Sequence, residues 1–215
     1  MIVYWLLMLP AAAIAYLVGS MSTLVLASNF LFRYNLLRLG HGNDWLSNFR
    51  RVYGIKGAQV LLLVEAIKDI LPILIGSALL GIKGHGDAGR AFAGFCLVVG
   101  RLWPIYYDLK GSYAIMPMIF SAMFADTSLG IALAVLVIGT LWLTRYLPLA
   151  AMAGGLAMIA ASFLIMENRL CIYLMVLTGL AVVIHSLPAL KRISEGREIK
   201  YTLREDLTYK LDNHF

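Results

Sequence analysis

Between Gly40 and Asn48 the chain reads Gly-His-Gly-Asn-Asp-Trp-Leu-Ser-Asn, and Arg50 and Arg51 follow at once. Glycines such as Gly40 and Gly42 let a backbone come close to an anion. Asn43, Ser47 and Asn48 supply neutral hydrogen-bonding groups, and Arg51 supplies a planar charged fork. That combination suits a phosphate or an oxyanion. His41 is the one group in the stretch whose ordinary pKa lies near neutrality, which makes it the candidate base. A positively charged membrane loop with a turn in it would use several of the same residues.

Two further clusters carry charge. The run from Gly100 to Gly111, Gly-Arg-Leu-Trp-Pro-Ile-Tyr-Tyr-Asp-Leu-Lys-Gly, offers Arg101 and Lys110 as clamps on an anion, with Ser112 just beyond. Its Trp103, Tyr106 and Tyr107 also fit an interfacial aromatic belt with cations at its edges. Glu65, Lys68 and Asp69 are spaced i, i+3 and i+4 and therefore share one face of a helix. In lipid such a face must meet water, its own charges or another polar group. It is either one wall of a substrate cavity or a paired device that fixes helix packing.

The elements that must position these groups are membrane helices. With 61% hydrophobic residues, 14% charged residues and a mean hydropathy of +0.82, the chain lacks the polar surface to cover a soluble domain of 215 residues. A ruler of about 20 apolar residues per crossing predicts about seven spans, near residues 2–28, 57–82, 88–104, 112–126, 128–144, 147–166 and 170–187. The first is too long for the core of a signal peptide and reads as a retained span. The third and fourth are short. Beside Gly100, Pro104 and Gly111, that shortness predicts a segment that is re-entrant or lines a cavity. The expected organisation is one transmembrane helical domain over 1–190 and a polar tail over 191–215.

Charge sets the expected orientation. With the N-terminus outside, the inside segments hold fourteen of the eighteen Lys and Arg residues, which favours a cytoplasmic C-terminus in a multi-pass protein of the plasma membrane. The net charge of +6 is then a topology signal, and it also suits lipid headgroups or a phosphorylated substrate. Dispersed basic residues without a reading motif argue against nucleic acid. Cys96 and Cys171 fall in apolar stretches and imply neither disulfide nor metal. No zinc, Walker or nucleophile-elbow pattern occurs, so no cofactor is expected.

The order of these motifs resembles that of the bacterial acyl-phosphate:glycerol-3-phosphate acyltransferases. The segment GHGNDWLSNFRRVYG and the following KGAQVLLLVEAIKDILPIL resemble that family's GSGNxGATNxxRxxG and GxxVLLLDxxKGxxP. Gly40, Gly42, Asn43, Asn48, Arg51, Gly54, Lys68 and Pro72 match, and Ser47 and Glu65 are conservative replacements. GRLWPIYYDLKG resembles GHxFPxFxxFKG, Thr144-Arg145-Tyr146 resembles TRY, and Arg192 with Gly196-Arg-Glu198 resembles the closing RxxxGxE. The likeness runs collinearly through nearly the whole chain.

The resemblance implies a seven-span enzyme that moves a fatty acyl group from acyl phosphate to glycerol 3-phosphate or a related acceptor. It places Asn43, Ser47, Asn48 and Arg51 at the reacting centre, where His41 is the candidate base on its own residue type. Gly40, Gly42, Lys68, Arg101, Lys110, Gly111 and Ser112 would then contact substrate. The His-x4-Asp acyltransferases are excluded, because Leu46, Arg90 and Leu190 stand five residues after His41, His85 and His185. The departures lie where chemistry would be. His41 replaces a serine, Arg101 replaces a histidine, and a glycine-rich GGKG loop reads Gly111-Ser-Tyr-Ala114. The closing HxxN fails as well, with His185 one residue out of register and Ala189 at the asparagine position. A non-catalytic lipid-binding or partner protein on the same scaffold is the alternative function.

Overall fold

The computed structural model describes residues 2–23, 45–82, 84–198 and 200, with side chains described from residue 6 onward except at 45–55 and 58. Among these residues there are seven α-helices and no strand. They are α1 (Ile2–Ser20), α2 (Trp45–Gly81), α3 (Gly86–Leu102), α4 (Ile115–Ala125), α5 (Thr127–Thr144), α6 (Leu147–Ile165) and α7 (Arg169–Ser194). Lipid explains the choice of helices, because only a backbone that bonds within its own segment can cross hydrocarbon at low cost. α5, α6 and α7 are long and apolar enough to span on those grounds alone. α1 and α4 carry shorter apolar runs.

The predicted spans fall on the observed helices, with three differences. α1 ends at Ser20 and not near residue 28, and residues 24–28 of that expectation lie outside the described residues. The second helix starts at Trp45, inside the polar motif, and not near residue 57. Its first turns, Ser-Asn-Phe-Arg-Arg-Val-Tyr-Gly, carry no apolar run that would mark them as a span. The last helix runs to Ser194, three residues past the expected start of the tail.

α3 is the central element. It packs on α1 and α2 along one side and on α4 and α7 along the other, while α4 to α7 pack mainly on their neighbours in the chain. Two cores result. Ala15, Ile73, Ala93 and Leu97 fill the α1–α2–α3 junction. Val98, Met118, Leu133, Met158, Met175 and Val182 belong to the larger core among α3 to α7. Without a hydrophobic drive between helices in lipid, close backbone approach is what small residues provide. A Cβ on Gly100 would meet the Tyr16 carbonyl and the Ser20 amide, and one on Gly19 would meet the Leu97 carbonyl. The α1–α3 crossing therefore depends on glycine from both sides.

Candidate functional site

Contacts across the bundle gather the polar segments at one end. The Tyr16 hydroxyl donates to the Trp103 carbonyl at 2.9 Å, which brings the last turn of α1 to the loop after α3. Trp103 and Tyr113 meet the ring of His185 edge-on, with centroids 5.7 and 6.1 Å away, so α7 closes the same end. Lys200 lies over the ring of Tyr146, 5.8 Å from its centroid, adding the α5–α6 turn and the start of the tail.

The loop over residues 103–114 is built by its own backbone. Ile105–Tyr107 form a 3₁₀ turn, and the Pro104 carbonyl accepts from Tyr107 at 3.3 Å and from Leu109 at 3.1 Å. Asp108 and Leu109 then take positive φ, 50° and 58°, a region that costs an L-residue energy. This reversal presents Lys110 exposed to solvent. Gly111 sits directly on the Arg101 and Leu102 carbonyls, where a Cβ would overlap both. Ser112 is half-buried beside it.

Beneath the loop lies a buried charge cluster. Arg101 Nη2 is 2.6 Å from Glu65 Oε1, with side-chain exposures of 9% and 1%. Lys68 Nζ is 3.5 Å from Glu65 Oε1 and 3.3 Å from Asp69 Oδ1, and it donates to the Met21 carbonyl at 3.2 Å. The four groups carry two charges of each sign. The shared helical face of Glu65, Lys68 and Asp69 thus turns inward, and Arg101 pairs with it.

A third set closes the tail over the loop. Arg192 Nε is 2.7 Å from Glu198 Oε2, and Arg192 Nη2 donates to the Tyr113 hydroxyl at 3.1 Å. That hydroxyl donates in turn to Glu198 Oε1 at 3.1 Å. Gly196, at φ 68°, lets the chain reverse, and the amides of Arg197 and Glu198 both bond the Arg192 carbonyl. Burial first, and the Glu198 carboxylate second, push the Tyr113 phenol up to about 12.

The expected site residues divide accordingly. Lys110, Gly111 and Ser112 lie together in the loop, whereas Lys68 and Arg101 lie in the buried cluster. Ser47, Asn48 and Arg51 fall in the first two turns of α2, at i, i+1 and i+4, a spacing that groups them on one side of the helix. Gly40, His41, Gly42 and Asn43 lie outside the described residues. Tyr16, Tyr113 and His185 were absent from the expected site. The sequence signals that pointed toward this set were the closing Arg192-to-Glu198 motif, the out-of-register His185 and the altered Gly111-to-Ala114 loop. Among the described residues no three His, Cys, Asp or Glu side chains form a metal site.

A family model described as glycerol-3-phosphate acyltransferase matches residues 9–196. The chain is 25% identical over 190 residues to the glycerol-3-phosphate acyltransferase of Thermoanaerobacter pseudethanolicus, covering 88% of this chain and 93% of that one. It is 27% identical over 202 residues to the protein of the same name from Neisseria meningitidis serogroup B, with coverages of 89% and 96%. In fold it is similar to the crystal structure of PlsY (YgiH), an integral membrane glycerol 3-phosphate acyltransferase, in its glycerol 3-phosphate form. That match has a TM-score of 0.74 at 20% identity and covers 94% of this chain and 98% of that one. The lysophosphatidic acid form of PlsY gives a TM-score of 0.72 at 18% identity.

Proposed function

The chain belongs to the glycerol-3-phosphate acyltransferase family, and on that premise we propose that it acylates glycerol 3-phosphate with an acyl phosphate as donor. The observation that carries the reading is the family match over residues 9–196, nearly the whole helical bundle. The protein is an enzyme of the membrane, and its acceptor is the substrate named in its relatives.

The donor is the one the family resemblance implies, and its chemistry suits the site. An acyl phosphate is a mixed anhydride, so its carbonyl is already activated and no covalent enzyme intermediate is required. The acceptor hydroxyl attacks the carbonyl carbon, the bond from that carbon to the phosphate oxygen breaks, and inorganic phosphate leaves. The hydroxyl proton passes to the departing phosphate or to His41. The products are lysophosphatidic acid and phosphate. The protein's task is to hold two anions in line and to stabilise charge on the carbonyl and the leaving group.

In this reading the N-terminal turns of α2 meet one phosphate. Free amides at a helix start favour an anion, and Asn43, Ser47, Asn48 and Arg51 add donors, with Gly40 and Gly42 allowing close approach. Lys110, with Gly111 and Ser112, meets the second phosphate from the loop. Lys68, expected at the substrate, is held instead by Glu65 and Asp69 in the buried cluster. The working face is the cytoplasmic one, on the charge count, and the 1–190 bundle acts as one unit with its tail.

The test uses purified protein in detergent. Phosphate release from palmitoyl phosphate should depend on added glycerol 3-phosphate, and release that ignores the acceptor would remove the transferase reading. Arg51→Ala should lower turnover at least about ten-fold, because a charged hydrogen bond to a desolvated phosphate contributes roughly 1.5 to 3 kcal/mol. Arg51→Lys should recover only part, since a point charge does not reproduce a fork. Full activity in both variants would take Arg51 out of the site.

A further inference from the structure

We propose that Arg101 is a positioning residue, paired with Glu65 as a single buried unit that sets the Lys110–Ser112 loop against α2. The proposal rests on the acyltransferase reading of that loop.

The geometry separates this role from a phosphate clamp. Arg101 is 8% exposed and its guanidinium already holds Glu65 at 2.6 Å. A phosphate arriving at Arg101 would compete for the guanidinium with a carboxylate that is itself fully buried, weakening the pairing of a buried charge at a cost. The pair ties α2 to the last turn of α3. Lys68, bonded to Glu65 and to the Met21 carbonyl, extends the tie to the end of α1. Asp69, beside Lys68, is the remaining charged group of the cluster.

Movement at Arg101 reaches the loop through the backbone. The Arg101 and Leu102 carbonyls form the floor on which Gly111 sits, without room for even one Cβ. The next residue, Trp103, is held through its carbonyl by Tyr16. A shift of the last α3 turn therefore shifts Gly111, and Lys110 with it. On the other side of the pair, α2 is one continuous helix from Glu65 back to Arg51. Fourteen residues at 1.5 Å each make a strut of about 21 Å. The ion pair fixes the relation between that strut and the loop. An arginine suits the task because it stays charged at any working pH, which a histidine does not.

The test is a double-mutant cycle on the full-length protein in detergent: Glu65→Gln, Arg101→Gln and the double variant, each read by thermal unfolding and by acyl transfer from palmitoyl phosphate. Each single change should lower kcat/KM at least about ten-fold and lower Tm. The double variant should return to within about three-fold of wild type, because neither charge is then left alone. Should either single variant fail to fold, Arg101→Lys, which keeps the charge, should lower kcat while KM for glycerol 3-phosphate stays within about two-fold. A double variant no better than Arg101→Gln, or an Arg101→Lys enzyme whose KM rises ten-fold at unchanged kcat, would place Arg101 on the substrate and overturn the proposal. A wild type without acyl transfer, but with a non-additive unfolding cycle, would overturn the acyltransferase reading and leave the pair standing.

Discussion

Tyr113 occupies the position at which the family pattern has the lysine of its glycine-rich loop, and its environment shows what the exchange does. A lysine there would bring a charge; the phenol brings a hydroxyl that accepts from Arg192 and donates to Glu198. The folded state favours the neutral phenol, since burial and the neighbouring carboxylate both oppose its ionisation. The sign follows directly. Below pH 10 the phenol is protonated in the folded and unfolded chain alike, and its contribution is complete. As pH rises from 10 through about 12 the unfolded chain ionises first, and the contribution is lost. Tyr113→Phe should cost about 1 kcal/mol of stability, the usual worth of one hydrogen bond, seen as a Tm lowered by a few degrees. In an alkaline absorbance titration the tyrosinate signal missing from the variant should be the one with a midpoint near 12. A missing signal near 10 would show that the phenol is not enclosed as described.

Helix boundaries in this protein are set by specific residues. α5 begins on Asp126, whose Oδ1 accepts from the Leu129 amide at 3.0 Å, and α7 begins on Asn168 in the same manner with Leu170. α4, at eleven residues, rises only about 16 Å, some 10 Å less than its neighbour α5 with eighteen. A helix that short does not by itself cross a hydrocarbon layer of about 30 Å. Asp126 is the hinge of the α4–α5 hairpin. Asp126→Ala should cost about 1 kcal/mol through the lost cap, measured as lowered thermal stability in detergent. Asp126→Asn should cost less, because the amide oxygen still accepts, and equal losses in both variants would argue that the charge and not the cap is what matters.

At the scale of the whole molecule, the fold sorts its polar ends. The 103–114 loop, the end of α1, the Arg145–Tyr146 turn and residues Arg192–Glu198 share one end, joined by the contacts of Tyr16, His185, Tyr113 and Lys200. Asp87 and Arg90 at the start of α3 lie near Cys171 at the start of α7, which marks the other end. In sealed vesicles, with Cys96 and Cys171 replaced, cysteines at Tyr106 and Arg197 should react from the same face and a cysteine at Asn168 from the opposite one. The charge count assigns the first face to the cytoplasm. Tyr106 and Arg197 reacting from opposite faces would contradict the shared end.

The class of protein, the order of its helices and the motifs its family shares were all legible along the chain. Each of these depends on local information: the length of an apolar run, the breaker that ends it, the periodicity of a charged face, the spacing within a motif. Lipid makes such information unusually decisive, since a crossing segment has few backbone options. The tertiary structure alone decided which charges meet. Glu65, Lys68 and Asp69 were legible as one face, but their partner Arg101 comes from another helix, and nothing in its position told a phosphate clamp from an ion pair. Tyr113 and Glu198 are 85 residues apart in the chain, and His185 reads as a broken motif until packing brings it to Trp103 and Tyr113. The early start of α2 escaped for a related reason, because its first turns carry a polar motif and two glycines, Gly54 and Gly57, that argue against a helix locally. Pairing across a bundle is a property of the packed whole, where burial forces each charge to find a partner whatever its distance along the chain.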